Sequence, residues 1–92
     1  MAFDEPGSLR RARDAVGGLS LDGGAVRRAR EAAKLTQSEV SSRMLRLDWR
    51  LNQSQVSMVE RNDCRLSEAA ATALAAVLGV GLSEVLPEPD EQ

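Results

Sequence analysis

The sequence predicts an all-α fold of four to five helices, and three observations carry that prediction. Ala, Leu, Arg and Glu dominate the 92 residues. No run of alternating β-branched residues, the mark of a half-buried strand, occurs anywhere in the chain. Apolar residues instead recur at three- and four-residue spacing between sharp start and stop signals.

Residues 1–24 read as an N-terminal arm or short helix. Gly17-Gly18 and Asp22-Gly23-Gly24 set an Arg/Ala segment, Ser8 to Val16, apart from the rest of the chain. That segment echoes Ala25 to Ala33 and is expected to be a helical extension, since two copies are too few for a solenoid. The first helix of the main domain, which spans 25–86, should start near Asp22–Ala25 and run to about Ala33, with Val26, Ala29 and Ala33 on one face. Thr36-Gln37-Ser38-Glu39 is a capping box that opens the second helix, and Val40, Met44 and Leu47 continue an apolar stripe. Asn52 is a good N-cap for a third helix, Gln53 to Arg61, that buries Val56 and Val59. Asn62 suits the left-handed residue just past a helix end. The fourth helix starts at Ser67 with Glu68 in its first turn and ends at Gly79, presenting Ala70, Ala73, Leu74, Val77 and Leu78. A short turn, Ser83 to Leu86, stops at Pro87, and 87–92 is expected to be a disordered acidic tail.

What the sequence lacks limits its chemistry. There is no His or Tyr, and Cys64 is the single cysteine, so no disulfide or Cys/His metal set forms within one chain. Without His, the usual activation of a Ser or Cys nucleophile is missing. An enzyme is not expected, nor is any cofactor or metal. No apolar run reaches the roughly 18 residues of a membrane span, and the N-terminus has no signal-peptide core. The expected location is therefore the cytoplasm, and for a bacterial regulator the nucleoid when bound to DNA.

The net charge of −2 hides an uneven distribution. Residues 25–66 carry nine basic and five acidic side chains, whereas 67–92 carry five acids and no base. A phosphate backbone responds to that local basic block rather than to the total.

A capped helix, a connection and a second capped polar helix form a helix-turn-helix arrangement, whose second helix enters the major groove. Four stretches in order then match a known pattern: Val26-Arg27-Arg28-Ala29-Arg30, Leu35 to Val40, Gln53 to Asn62 and Leu74 to Val80. Over about residues 25–86 the chain resembles the XRE family, which includes Cro and the lambda-type phage repressors. The resemblance implies a lambda-repressor-like DNA-binding domain. It makes Gln37 the residue that holds a phosphate and braces the reading helix, and it places Gln53, Ser54, Ser57 and Met58 at base edges. Glutamine suits adenine N6 and N7, and Met a thymine methyl. It also implies an interhelical salt bridge between Arg30 and Glu60, both on faces that otherwise read as buried.

One stretch departs from the family. The usual short turn has Gly after the second helix; here Leu45 stands at that position and about five extra residues precede the third helix. This resembles the extended turn of eukaryotic POU-specific domains. Within it Trp49, beside Leu47 and Leu51, reads as core more readily than as a stacking surface. Arg43, Arg46 and Arg50 are candidates for phosphate contact or for solvated surface.

The function expected is that of a sequence-specific DNA-binding transcriptional regulator, a repressor by resemblance. Its partners would be double-stranded DNA and a second copy of the chain, and the resemblance implies Leu82, Val85 and Leu86 as dimer contacts. The alternative is an antitoxin-like or adaptor module that binds a protein through its N-terminal segment. Solvent-facing apolar residues on Ser8–Val16 would favour it.

Overall fold

The computed structural model describes residues 12–88. Four helices succeed one another: α1 (Gly23–Ala32), α2 (Gln37–Arg46), α3 (Gln53–Glu60) and α4 (Glu68–Leu78), with a final 3-10 turn, Leu82–Val85. Short extended stretches complete the order: β1 (Arg13–Asp14), β2 (Val16–Leu19) and β3 (Trp49–Arg50). The fold is all-α with a small sheet, in which β1 and β3 pair in parallel, Arg13 opposite Trp49 and Asp14 opposite Arg50.

Every helix begins on a side chain that satisfies an orphan N–H. Asp22 caps α1, Thr36 and Glu39 form a reciprocal box on α2, Asn52 and Gln55 do the same on α3, and Ser67 caps α4. Each cap contributes about 1 kcal/mol. The helices also end alike. Lys34, Asp48 and Asn62 take left-handed backbone with φ of 62°, 67° and 66°, and Gly79 does so at 78°. Asn62 serves two helices, because its Oδ1 accepts from Gly23 N at 2.8 Å. The residue closing α3 thereby also caps the start of α1.

The core joins all four helices. Val26, Val40, Met44, Val56, Val59, Leu66, Leu74 and Val85 are almost fully buried, as are Leu51 and the alanines of α4 at 70, 71 and 75. α3 lies against α1 and α2, and α2 also meets α4. Gly23 permits the close approach of α1 to α3, since a Cβ there would collide with the Glu60 carbonyl.

Three expectations are corrected. The described part of the Ser8–Val16 segment is extended rather than helical, and residues 8–11 fall outside the described range. The Asp14 carboxylate accepts from Val16 N two residues on (3.0 Å), a local bond that competes with helix, and Gly17-Gly18 come directly after it. Leu47 does not continue the α2 stripe: the helix ends at Arg46, and Leu47, its C-cap, is 46% exposed. Val85 is fully buried in the core of its own chain and is no dimer contact, while Leu82 and Leu86 are half-buried beside it. The carbonyl of Val85 also accepts from Asp22 N at 2.8 Å, fastening the end of the domain to the start of α1. Of the 87–92 tail, residues 89–92 lie outside the described range.

Candidate nucleic-acid interface

Two helix N-termini build one face. On α2 the capping box engages the N–H groups of Thr36 (2.8 Å, to Glu39 Oε1) and Glu39 (3.0 Å, to Thr36 Oγ1). The N–H groups of Gln37 and Ser38 then point outward at the positive end of the helix dipole. On α3 the Asn52–Gln55 box does the same, with bonds of 2.8 and 2.9 Å, and leaves the first turn at Gln53 and Ser54 facing out. Both residues are exposed, whereas Ser57 and Met58 one turn later are half-buried.

A half-buried ionic group ties these helices to α1. Arg30 of α1 donates to Glu60 of α3 through Nε at 2.6 Å and Nη2 at 3.1 Å, a bidentate fork. Arg30 Nη1 also donates to the Leu35 carbonyl at 2.9 Å. Glu60 Oε1 accepts a third bond, from Gln37 Nε2 at 3.1 Å. The hydrogen bond to Glu60 raises the Arg30 pKa above its ordinary value, against the opposing effect of burial. One carboxylate therefore holds α1, α3 and the first residue of α2 together.

Beside this group Gln37, Gln53, Ser54, Ser57, Met58 and Arg61 line an open, shallow groove. A second groove, lined by Arg27, Arg30, Gln37, Ser57, Glu60 and Arg61, shares three of those residues and extends the surface toward α1. The fold thus gathers the four proposed base-reading residues and Gln37 on one concave face. It places Arg43 and Arg46 elsewhere, exposed on the last turns of α2. Arg50 lies on β3, and its Nη1 donates to the Ala12 carbonyl at 2.6 Å. Trp49 is buried and carries the Arg13 guanidinium 4.0 Å above its ring centroid, so it is a core residue.

The sequence reading missed Arg61 and Arg27. Arg61 continues the four-residue spacing of Gln53 and Ser57, and its Nη1 donates to Ser57 Oγ at 3.3 Å. That spacing was the signal that could have found it. Arg27 precedes Arg30 by three residues on α1 and pairs with Glu31 at 3.0 Å in an exposed contact.

Among the described residues no group of three or more His, Cys, Asp or Glu stands close enough to hold a metal ion. No helix among them is long and apolar enough to cross a membrane.

Two capped helices at a fixed angle, the second with its polar face open, define a helix-turn-helix protein, a DNA-binding class. The chain belongs to the XRE-type helix-turn-helix family, which it matches over residues 26–85, well over half its length. In general terms it is a DNA-binding regulator. No curated protein and no solved structure matches it.

Proposed function

We propose that the protein is a sequence-specific transcriptional regulator that inserts α3 into the major groove. One observation carries this reading: Gln37, Gln53, Ser54, Ser57 and Met58 share one concave face at the open ends of α2 and α3. Gln53 is the residue for an adenine edge, Ser54 and Ser57 for either donor or acceptor, and Met58 for a thymine methyl. Gln37 and the outward N–H groups of α2 hold a phosphate, as helix N-termini do. Arg43, Arg46 and Arg50 supply further phosphate contacts, joined by Arg61 and Arg27 at the groove. Such contacts fix register and add affinity without reading sequence.

The regulator acts as a homodimer on a pseudo-palindromic site with half-site centres about 34 Å apart. Leu82 and Leu86 remain the apolar contacts for the second copy once Val85 is assigned to the core. The partner-binding alternative keeps one observation in its favour: in the described part of the N-terminal segment, 12–16, Val16 is an exposed apolar residue, although Ala15 is fully buried.

Selection of bound sequences from a random duplex library tests the proposal. Enrichment of one site with two-fold related halves is the expected result. A pool that shows no enrichment overturns sequence-specific reading, and a single asymmetric site bound by a monomer overturns the dimer.

A further inference from the structure

The connection between α2 and α3 is six residues long, Leu47 to Asn52, too long for chain shortness alone to set the angle of α3. The N-terminal segment lies beside this connection and is bonded along it. Arg13 N donates to Asp48 O at 2.7 Å, Ala15 N to Arg50 O at 3.3 Å, and Arg50 Nη1 returns a bond to Ala12 O. The Arg13 guanidinium covers Trp49.

The same segment is bonded to the chain that leaves α3. Ser67 N donates to Ala15 O at 2.9 Å and Gly17 N to Arg65 O at 3.1 Å, and Val16 bridges Leu66 in antiparallel fashion. Ala15 is fully buried between the two, and a Cβ on Gly17 would collide with Ser67. Residues 12–17 therefore hold the entry and the exit of an eight-residue helix at once.

We infer that segment 12–17 is a brace that fixes the angle of α3, with Arg13 and Arg50 as positioning residues that act through β3. The inference rests on the reading that α3 contacts bases. Base readout needs side chains in register with the groove edges, whereas phosphate attraction tolerates a tilted helix. Loosening the brace thus lowers affinity for the preferred site more than for random DNA.

The test uses two full-length variants. Arg13→Pro removes both the N–H that bonds Asp48 O and the guanidinium over Trp49. Arg13→Gln removes only the latter and keeps the backbone bond. Each is checked for helical circular dichroism and then measured on the selected site and on random duplex. With Arg13→Pro the ratio of the two affinities should fall about tenfold, equivalent to roughly one base contact. With Arg13→Gln it should fall about threefold, the scale of an exposed cation–π contact. Amide exchange on the free proteins gives an independent readout. Arg50, Leu51 and Asn52 should exchange faster in Arg13→Pro while the centre of α4 is unchanged.

A folded Arg13→Pro with parental exchange at 50–52 and a ratio within twofold of the parent overturns the brace. Should Arg13→Pro fail to fold, Arg13→Gln alone decides, a ratio about threefold below the parent supporting the brace and one within twofold of the parent overturning it. A parent that binds both DNAs equally refutes base reading by α3 instead, and amide exchange then still decides whether the segment holds the connection.

Discussion

Replacing Glu60 with alanine removes the acceptor of three hydrogen bonds, two from Arg30 and one from Gln37. The Glu60 side chain is 5% exposed and that of Arg30 13%, so solvent screens this pair far less than a surface pair. Stranding one member of a buried pair costs on the order of 3–5 kcal/mol. Arg30 keeps its bond to the Leu35 carbonyl and a little exposure, which puts the expected loss near the lower end, about 3 kcal/mol. For a domain of this size each kcal/mol moves Tm by about 4–8 °C, so Glu60→Ala should melt at least about 12 °C below the parent. Thermal and urea melts read the effect. Arg30→Met combined with Glu60→Leu should recover much of the loss, because an apolar pair strands no charge. Arginine brings no pH dependence near neutrality. Its folded pKa is raised above an already high unfolded value, so its contribution is complete below that value and is lost only as pH rises through the folded one. A Glu60→Ala melt within a degree or two of the parent refutes the view that this carboxylate joins the helices.

Gln53→Ala should lose roughly 1–3 kcal/mol on the selected site and little on random duplex, by titration of both. Arg46→Ala should weaken both alike and flatten the slope of log affinity against log salt by about one unit. Gly23→Ala should destabilise by about 1–3 kcal/mol in urea melts, because its Cβ forces α1 away from the Glu60 carbonyl. Burial, and secondarily Asp14, raises the Cys64 thiol above its ordinary pKa. The stability this thiol contributes is complete below its unfolded pKa and declines as pH rises through the folded one. Iodoacetamide should alkylate Cys64 more slowly in the folded protein than in urea at pH 8, by mass spectrometry.

Local chemistry made the helix starts legible. Thr36 with Glu39, and Asn52 with Gln55, act within one turn and are recognisable without knowledge of the rest of the fold. The Arg30–Glu60 contact spans thirty residues and was anticipated from the resemblance together with the apolar faces on which both residues sit. The pairing of β1 with β3 was not legible. It involves two residues from each strand, rich in Arg and Asp, and its stability comes from tertiary neighbours rather than from β propensity. The same limit applies to residues 12–16, the described part of the segment that echoes Ala25–Ala33: they are held extended by distant partners, whereas the second copy begins on the Asp22 cap. Val85 and Leu47 illustrate the weakness of apolar character alone, which does not tell a core position from a surface one at the end of an element.

The bonds of residues 12–17 to 48–50 and 65–67 also bear on synthesis, because they join the start of the described chain to parts made much later. The helices from Gly23 onward also close long loops, since α1 meets α3 and α2 meets α4, and the Arg30–Glu60 contact alone spans thirty residues. Docking of residues 12–17 closes a loop of more than thirty residues, and a second one of about fifty. During synthesis the segment is made first, yet its last partner, Ser67, emerges some fifty residues behind. At about 5–20 residues per second that is a wait of roughly 3–10 s. The part of the described chain that is translated earliest therefore cannot complete its bonds until α1, α2 and α3 have all been made.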